Sequence, residues 1–79
     1  MDIFSKIKEI LVKQLAIDEE EVVHEAHLQD DLGADSLGLM HLAEALTEQY
    51  EIEILGDDLV ELENLGELVK LVESRISSK

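Results

Sequence analysis

Between Gln14 and Val69 the chain contains no lysine or arginine, yet that stretch holds 17 of its 20 acidic residues, all except Asp2, Glu9 and Glu73. Carboxylates crowded together without cations among them repel one another in a compact state and keep a small protein soluble. With 79 residues the chain is expected to form one domain, spanning 1–79, around one small core. A chain of this size buries only about 60% of the surface it exposes when unfolded, so its stability is marginal. No cysteine is present to staple it or to bind a metal as thiolate. Proline is absent, aromatic residues make up 3%, and Leu, Ile, Val and Glu dominate, which favours helices over a sheet.

The apolar spacing resolves four helical stretches. The first runs from about Ile3 to Leu15, with Asp2 as N-cap and Ile3, Ile7, Ile10 and Leu11 along its stripe. A long connection follows from Ala16 to Asp35, above the usual length for a compact domain. Ile17, Val22, Val23, Leu28 and Leu32 can tack it onto a core, and a short helical turn fits around Glu19 to Val23. The second helix begins at Asp35-Ser36 and ends near Tyr50, with Leu39, Leu42, Ala43, Leu46 and Tyr50 on one stripe. Ile52 to Ile54 reads as extended, Gly56 as a break, and Asp57-Asp58 as the cap of a short third helix reaching Leu62. Asn64 and Glu67 match a capping box for the last helix, which carries Leu68, Val69, Leu71, Val72 and Ile76. The expected fold is all-α, a four-helix bundle with three long helices and one short one and a long loop between the first and second.

The charge narrows the partners. A net charge of −14 repels nucleic acid phosphates and anionic membranes, and steers cationic protein surfaces towards the chain. A hydrophobic content of 46% argues against a disordered acidic tail. No apolar run approaches the roughly 20 residues of a membrane span. The first residues lack the basic flank, apolar stretch and small-residue cleavage site of a secretory signal, so the expected location is the cytoplasm and the expected state a monomer.

The stretch Leu32-Gly33-Ala34-Asp35-Ser36-Leu37 is the least generic part of the sequence. Gly33 permits a turn that a side chain would resist. Asp35 and Ser36 open a helix, placing the Ser36 hydroxyl at a positive helix end where a phosphodiester would be well accommodated. Aspartate and serine are also favoured N-cap residues, and on spacing alone both readings stand. His24 and His27 in an acidic loop do not make a tetrahedral metal set. Asp30, Asp31 and Asp35 lack the alternating ligands of a tight calcium loop. Ser36, Asp35 and His41 hold the residue types of a hydrolytic triad, but a helical spacing of five does not bring Ser36 and His41 face to face. No catalytic residue and no metal site is therefore assigned.

The segment LGADSL, followed by an acidic amphipathic helix and then YEIEI, resembles the attachment segment of the acyl carrier protein family, and the similarity extends over essentially the whole chain. The resemblance implies that Ser36 accepts 4'-phosphopantetheine from coenzyme A through a separate magnesium-dependent transferase. It implies that Asp35 helps hold the metal in that complex, and that Leu37 is a hydrophobic contact for the transferase and partner enzymes. It further implies that acyl groups ride as thioesters on the arm, sheltered among Leu42, Leu46, Ile54, Leu59, Leu62 and Leu68. Met40, His41, Glu44 and Glu48, with Asp35, match positions that meet basic patches on acyl synthases and acyltransferases.

Three positions depart from the family pattern. Gly38 and His41 stand where acids are common, and Leu55 replaces a frequent proline. Gly38 also costs about 1 kcal/mol of helix propensity relative to alanine. These changes thin the acidic face just after Ser36. They leave two pathways open: fatty-acid or related acyl-chain synthesis, and a specialised carrier for a polyketide, lipid or other secondary pathway. An acidic adaptor without a prosthetic group is the alternative of a different class.

Overall fold

The computed structural model describes residues 2–78, with helices α1 (Ile3–Leu15), α2 (Ser36–Tyr50), α3 (Gly56–Val60) and α4 (Leu65–Ser77). A single 3-10 turn at Glu19–Glu21 interrupts the long connection where a helical turn was expected. Among the described residues there is no strand, and Ile52 to Ile54 runs without regular structure. Three long helices and one short one give the all-helical bundle that the apolar spacing implies.

The helix ends show where local chemistry departs from the simple pattern. Asp2 precedes α1 in extended backbone, but its carboxylate accepts the Ser5 hydroxyl at 3.2 Å and caps no backbone amide. A side chain three residues on competes for the same oxygen. Gly56 does not stand outside α3 as a break; it is the first residue of the helix. The Asp58 carboxylate reaches back to accept the Leu55 N–H at 3.0 Å, so the acid works from the third helical position and Leu55 is the N-cap. The helix stops at Val60, short of Leu62, whose N–H turns back to the Leu59 carbonyl at 3.2 Å. At α4 the Asn64 side chain accepts the Glu67 N–H at 3.0 Å as expected. Glu67 reaches one residue past the cap, to the Glu63 N–H at 2.8 Å.

The interior is entirely aliphatic, with no polar or charged residue buried among those described. Ile7 and Leu11 come from α1, Leu39, Leu42, Ala43 and Leu46 from α2, Leu59 from α3, and Leu65, Leu68 and Val72 from α4. The long connection is part of this core: Val22, Ala26, Leu28, Leu32 and Ala34 are buried. It is also tied to α4, because the Leu65 N–H donates to the Ala26 carbonyl at 3.1 Å and the Gly66 N–H to the His24 carbonyl at 3.0 Å. The His24 ring stacks on Phe4 of α1 with centroids 4.1 Å apart. At the far end of α2, burial raises the Tyr50 phenol above its ordinary pKa, and the charge of Asp2 acts in the same direction. No described helix is long and apolar enough to cross a membrane.

The few cations are spent at the edges. Lys6 and Lys13 pair with Glu9, Lys8 with Glu19, and Arg75 with Asp58 at 3.5 Å. Arg75 also donates to the Glu53 carbonyl, which holds the segment before α3 against α4. Most acids between Gln14 and Val69 face solvent without a cation, so folding concentrates like charge. Raising the ionic strength from about 0.01 M to about 0.1 M shortens the Debye length from roughly 30 Å to roughly 10 Å. The melting temperature at neutral pH is expected to rise by several degrees over that range, and again with millimolar magnesium. A melting curve that ignores both additions would show the carboxylates to be too widely spaced to oppose folding.

Candidate functional site

The backbone reaches the start of α2 along a fixed path. Leu32 and Ala34 are buried on either side of Gly33, which adopts φ +72, a left-handed conformation that favours glycine. The Ala34 N–H donates to the Leu28 carbonyl at 2.9 Å and locks this turn against the loop. Asp35 then follows in extended backbone, and its Oδ1 accepts the Gly38 N–H at 2.7 Å. Asp35 is therefore the cap of α2, and Ser36 is its first helical residue. The Ser36 hydroxyl is exposed at the amino end of the helix and is spared the capping role.

Gly38 has a local reason to be glycine. A Cβ there would lie 3.2 Å from Asp35 Oδ1, tight against the cap, and in ordinary contact with Leu15 Cδ2 at 3.4 Å.

Beyond Ser36 the helix presents the residues that the sequence pointed to. Leu37 and Met40 are large apolar side chains more than half exposed, at 59% and 54%. His41, Glu44 and Glu48 are exposed as well. Leu37, His41, Glu44 and Glu48 share one face by helical spacing. Leu55 and Val60, on the other side of the seam between α2 and α3, are also exposed apolar residues. None of Asp35, Glu44, Glu48 and Asp57 is in an ion pair among the described residues, so this face is an apolar rim set in uncompensated negative charge.

Clefts lie along α2, two of them at the seam and one beside the segment that precedes α3. One of about 150 Å³ is lined by Ser36, Leu39, Met40, Gly56, Asp57 and Val60. The next, about 170 Å³, is lined by Met40, Ala43, Glu44, Ile54, Leu55 and Gly56. The third, about 260 Å³, lies among Glu44, Thr47, Glu48 and Ile54. Of the six residues expected to shelter an acyl chain, Ile54 lines a cleft, whereas Leu42, Leu46, Leu59 and Leu68 are packed into the core and Leu62 lies against it. The helices meet too closely for those side chains to face open space.

Sequence reasoning missed Leu39, Ala43, Thr47, Gly56, Asp57 and Val60 as lining residues. The legible signal was Val60, an apolar residue between Leu59 and Glu61 on a helix too short to bury both of its sides. Thr47 gave none: its hydroxyl donates to the Ile54 carbonyl and accepts the Ile54 N–H, both at 3.3 Å, which pins the extended segment to α2.

The histidines of the loop are structural. His27 Nδ1 accepts the N–H groups of Gln29 at 3.1 Å and Asp30 at 3.0 Å, so in this arrangement it carries no proton. The Asp30 carboxylate lies 3.8 Å from the same nitrogen. No group of three or more histidine, aspartate or glutamate residues among those described could hold a metal ion.

Comparison with known proteins places this geometry. A protein family described as "Phosphopantetheine attachment site" matches residues 5–72. The chain is 40% identical to an acyl carrier protein of Wolinella succinogenes over 74 residues, covering 94% of this chain and 97% of that protein. It is 37% identical to an acyl carrier protein of Thermotoga maritima over 75 residues, covering 95% and 93% respectively.

Proposed function

This chain belongs to the acyl carrier protein family, and from that premise we propose that it holds acyl intermediates as thioesters on a phosphopantetheine arm attached at Ser36. The observation that carries the assignment to Ser36 is the 2.7 Å bond from the Gly38 N–H to Asp35, which leaves an exposed serine hydroxyl at the helix start with no capping duty. The site suits the group: a phosphodiester on Ser36 would meet the free amides and positive pole of α2, and an apolar cleft lies beside it. When attached, the arm supplies a terminal thiol for thioester chemistry. The chain's own residues hold the acyl group and present it, and no base is positioned to activate Ser36.

Attachment is the work of a separate transferase. Ser36 Oγ bonds to the phosphorus of the coenzyme A diphosphate that bears the pantetheine, the adenosine bisphosphate departs, and the serine proton passes to a base on the transferase. Positioning and charge neutralisation by a metal dominate such a transfer. Asp35 is suited to help hold that metal, and Leu37 to seat the transferase. Incubating the protein with coenzyme A, magnesium and a broad-specificity phosphopantetheinyl transferase should add the mass of one arm. No mass gain would overturn the assignment.

The whole chain, 1–79, acts on this reading as one monomeric carrier domain in the cytoplasm. Its further partners are acyl synthases and acyltransferases with basic patches, docking on Met40, His41, Glu44 and Glu48. His41 favours a second reading, in which the pathway served is a specialised one and not housekeeping fatty-acid synthesis. A rim charge mainly sets association. His41→Glu in the loaded protein is therefore expected to lower KM for a housekeeping ketoacyl synthase by about two- to fivefold at low salt, with little change in kcat. The gain should shrink as salt is added. Gly38→Asp is a poorer test, since its Cβ would crowd the Asp35 cap. Efficient turnover of the unmodified protein, unchanged by His41→Glu, would return the reading to the housekeeping pathway.

A further inference from the structure

The clefts of about 150 Å³ and 170 Å³ share two lining residues, Met40 and Gly56, and so lie on either side of one contact. The contact is close because Gly56 has no side chain: a Cβ there would lie 3.3 Å from Met40 Cγ and 3.8 Å from Met40 Cα. The first residue of α3 thus rests directly on α2, with the Met40 thioether chain across the seam. Methionine is unbranched and changes rotamer readily, and at 54% exposure this one has solvent to swing into.

We propose that Met40 is a size-determining partition of the seam, closed against Gly56 at rest. It would hold a short acyl chain beside Ser36 and admit a longer one only by moving aside. The inference rests on the reading that Ser36 carries the arm. The occupant is an unbranched acyl chain tethered to this same molecule. The compartment that includes Ser36 is walled by Leu39, Met40 and Val60, and a flexible arm anchored on Ser36 can fold back to lay its apolar chain there. A cavity of about 150 Å³ holds a molecule of about six carbons. Past Met40 lies a further compartment of comparable size, with Ala43 and Ile54 in its walls. Met40 is thus a specificity-determining residue for chain length, in addition to any part it takes in docking.

The test charges the purified protein, and its Met40→Ala, Met40→Leu and Gly56→Ala variants, with saturated acyl chains from about four to about twelve carbons. Mass spectrometry verifies loading, and the melting temperature of each acyl form is then read. Each methylene newly buried should raise the melting temperature by about 3 °C. In the unmodified protein the rise is expected to level off near six carbons. In Met40→Ala it should continue through the longer chains. Met40→Leu, which keeps a bulky side chain at the contact, should restore the break, and Gly56→Ala should retain it. A melting temperature that climbs smoothly to twelve carbons in the unmodified protein, or a break that survives in Met40→Ala, would overturn the partition while leaving the carrier reading intact. Absence of any mass gain would overturn that reading, and the partition with it.

Discussion

Ser36→Ala is expected to leave the protein folded and wholly unable to take up the arm. The two halves of that expectation have separate causes. Folding survives because the cap of α2 belongs to Asp35, whose bond to the Gly38 N–H does not involve the serine side chain. Ser36 is also exposed, so removing its hydroxyl opens no cavity, and alanine is the best helix former. Loading fails because no other hydroxyl stands at the start of α2. The measurement pairs a melting curve with intact mass after incubation with transferase and coenzyme A. The melting temperature should stay within about 3 °C of the parent, a shift of at most roughly half a kcal/mol. A mass gain in the variant would place the attachment on another residue. Asp35→Ala should cost about 1 kcal/mol through the lost cap and also slow loading, because Asp35 is placed to help hold the transferase's metal, although the nucleophile stays in place.

Leu46→Ala is the second large effect, and it acts on stability alone. Leu46 has 0% of its surface exposed and sits in the middle of the stripe by which α2 enters the core. Truncating a leucine in such a place costs on the order of 3 kcal/mol, from lost transfer energy and the cavity left behind. In a domain of this size that lowers the melting temperature by at least about 12 °C. Relief by collapse is limited, because the neighbouring core positions belong to packed helices. Leu37→Ala supplies the contrast: at 59% exposure its removal should change stability by less than about 0.5 kcal/mol while weakening recognition by the transferase. Circular dichroism melts on the three proteins test this, and a Leu46→Ala protein melting within a few degrees of the parent would show a more adaptable core.

The helices were legible because their signals are local. Ile7 and Leu11, and likewise Leu39, Leu42 and Leu46, recur at helical spacing, and the structure buries all five. Asn64 capped its helix as its side chain suggests. What the sequence hid depends on competition or on approach. Asp2 lost its capping role to a hydroxyl one turn along, and Glu67 chose the amide of Glu63 over that of Asn64. The ends of α1 and α2 carried no glycine to announce them, because Ala16 and Glu51 adopt the left-handed conformation there, each at φ 54. Ser36 was readable as a candidate from its neighbours, and Asp35 caps α2 as its side chain suggests. The contact that divides the clefts was beyond reach of any pattern, since it depends on how near Gly56 comes to Met40, two residues that no periodicity links.

The bonds from Leu65 and Gly66 to the loop carbonyls of Ala26 and His24 have a consequence for hydrogen exchange. The first amides of a helix usually point at water and exchange quickly. Here two of them are held by a loop that is itself anchored by five buried side chains, so the amino end of α4 is protected for as long as that loop stays down. Loop and helix end then form one cooperative opening unit, whose amides should exchange with a common free energy. Ser36 lies immediately downstream of that unit, so an enzyme that displaces the loop while docked at the exposed serine would also unlatch the start of α4.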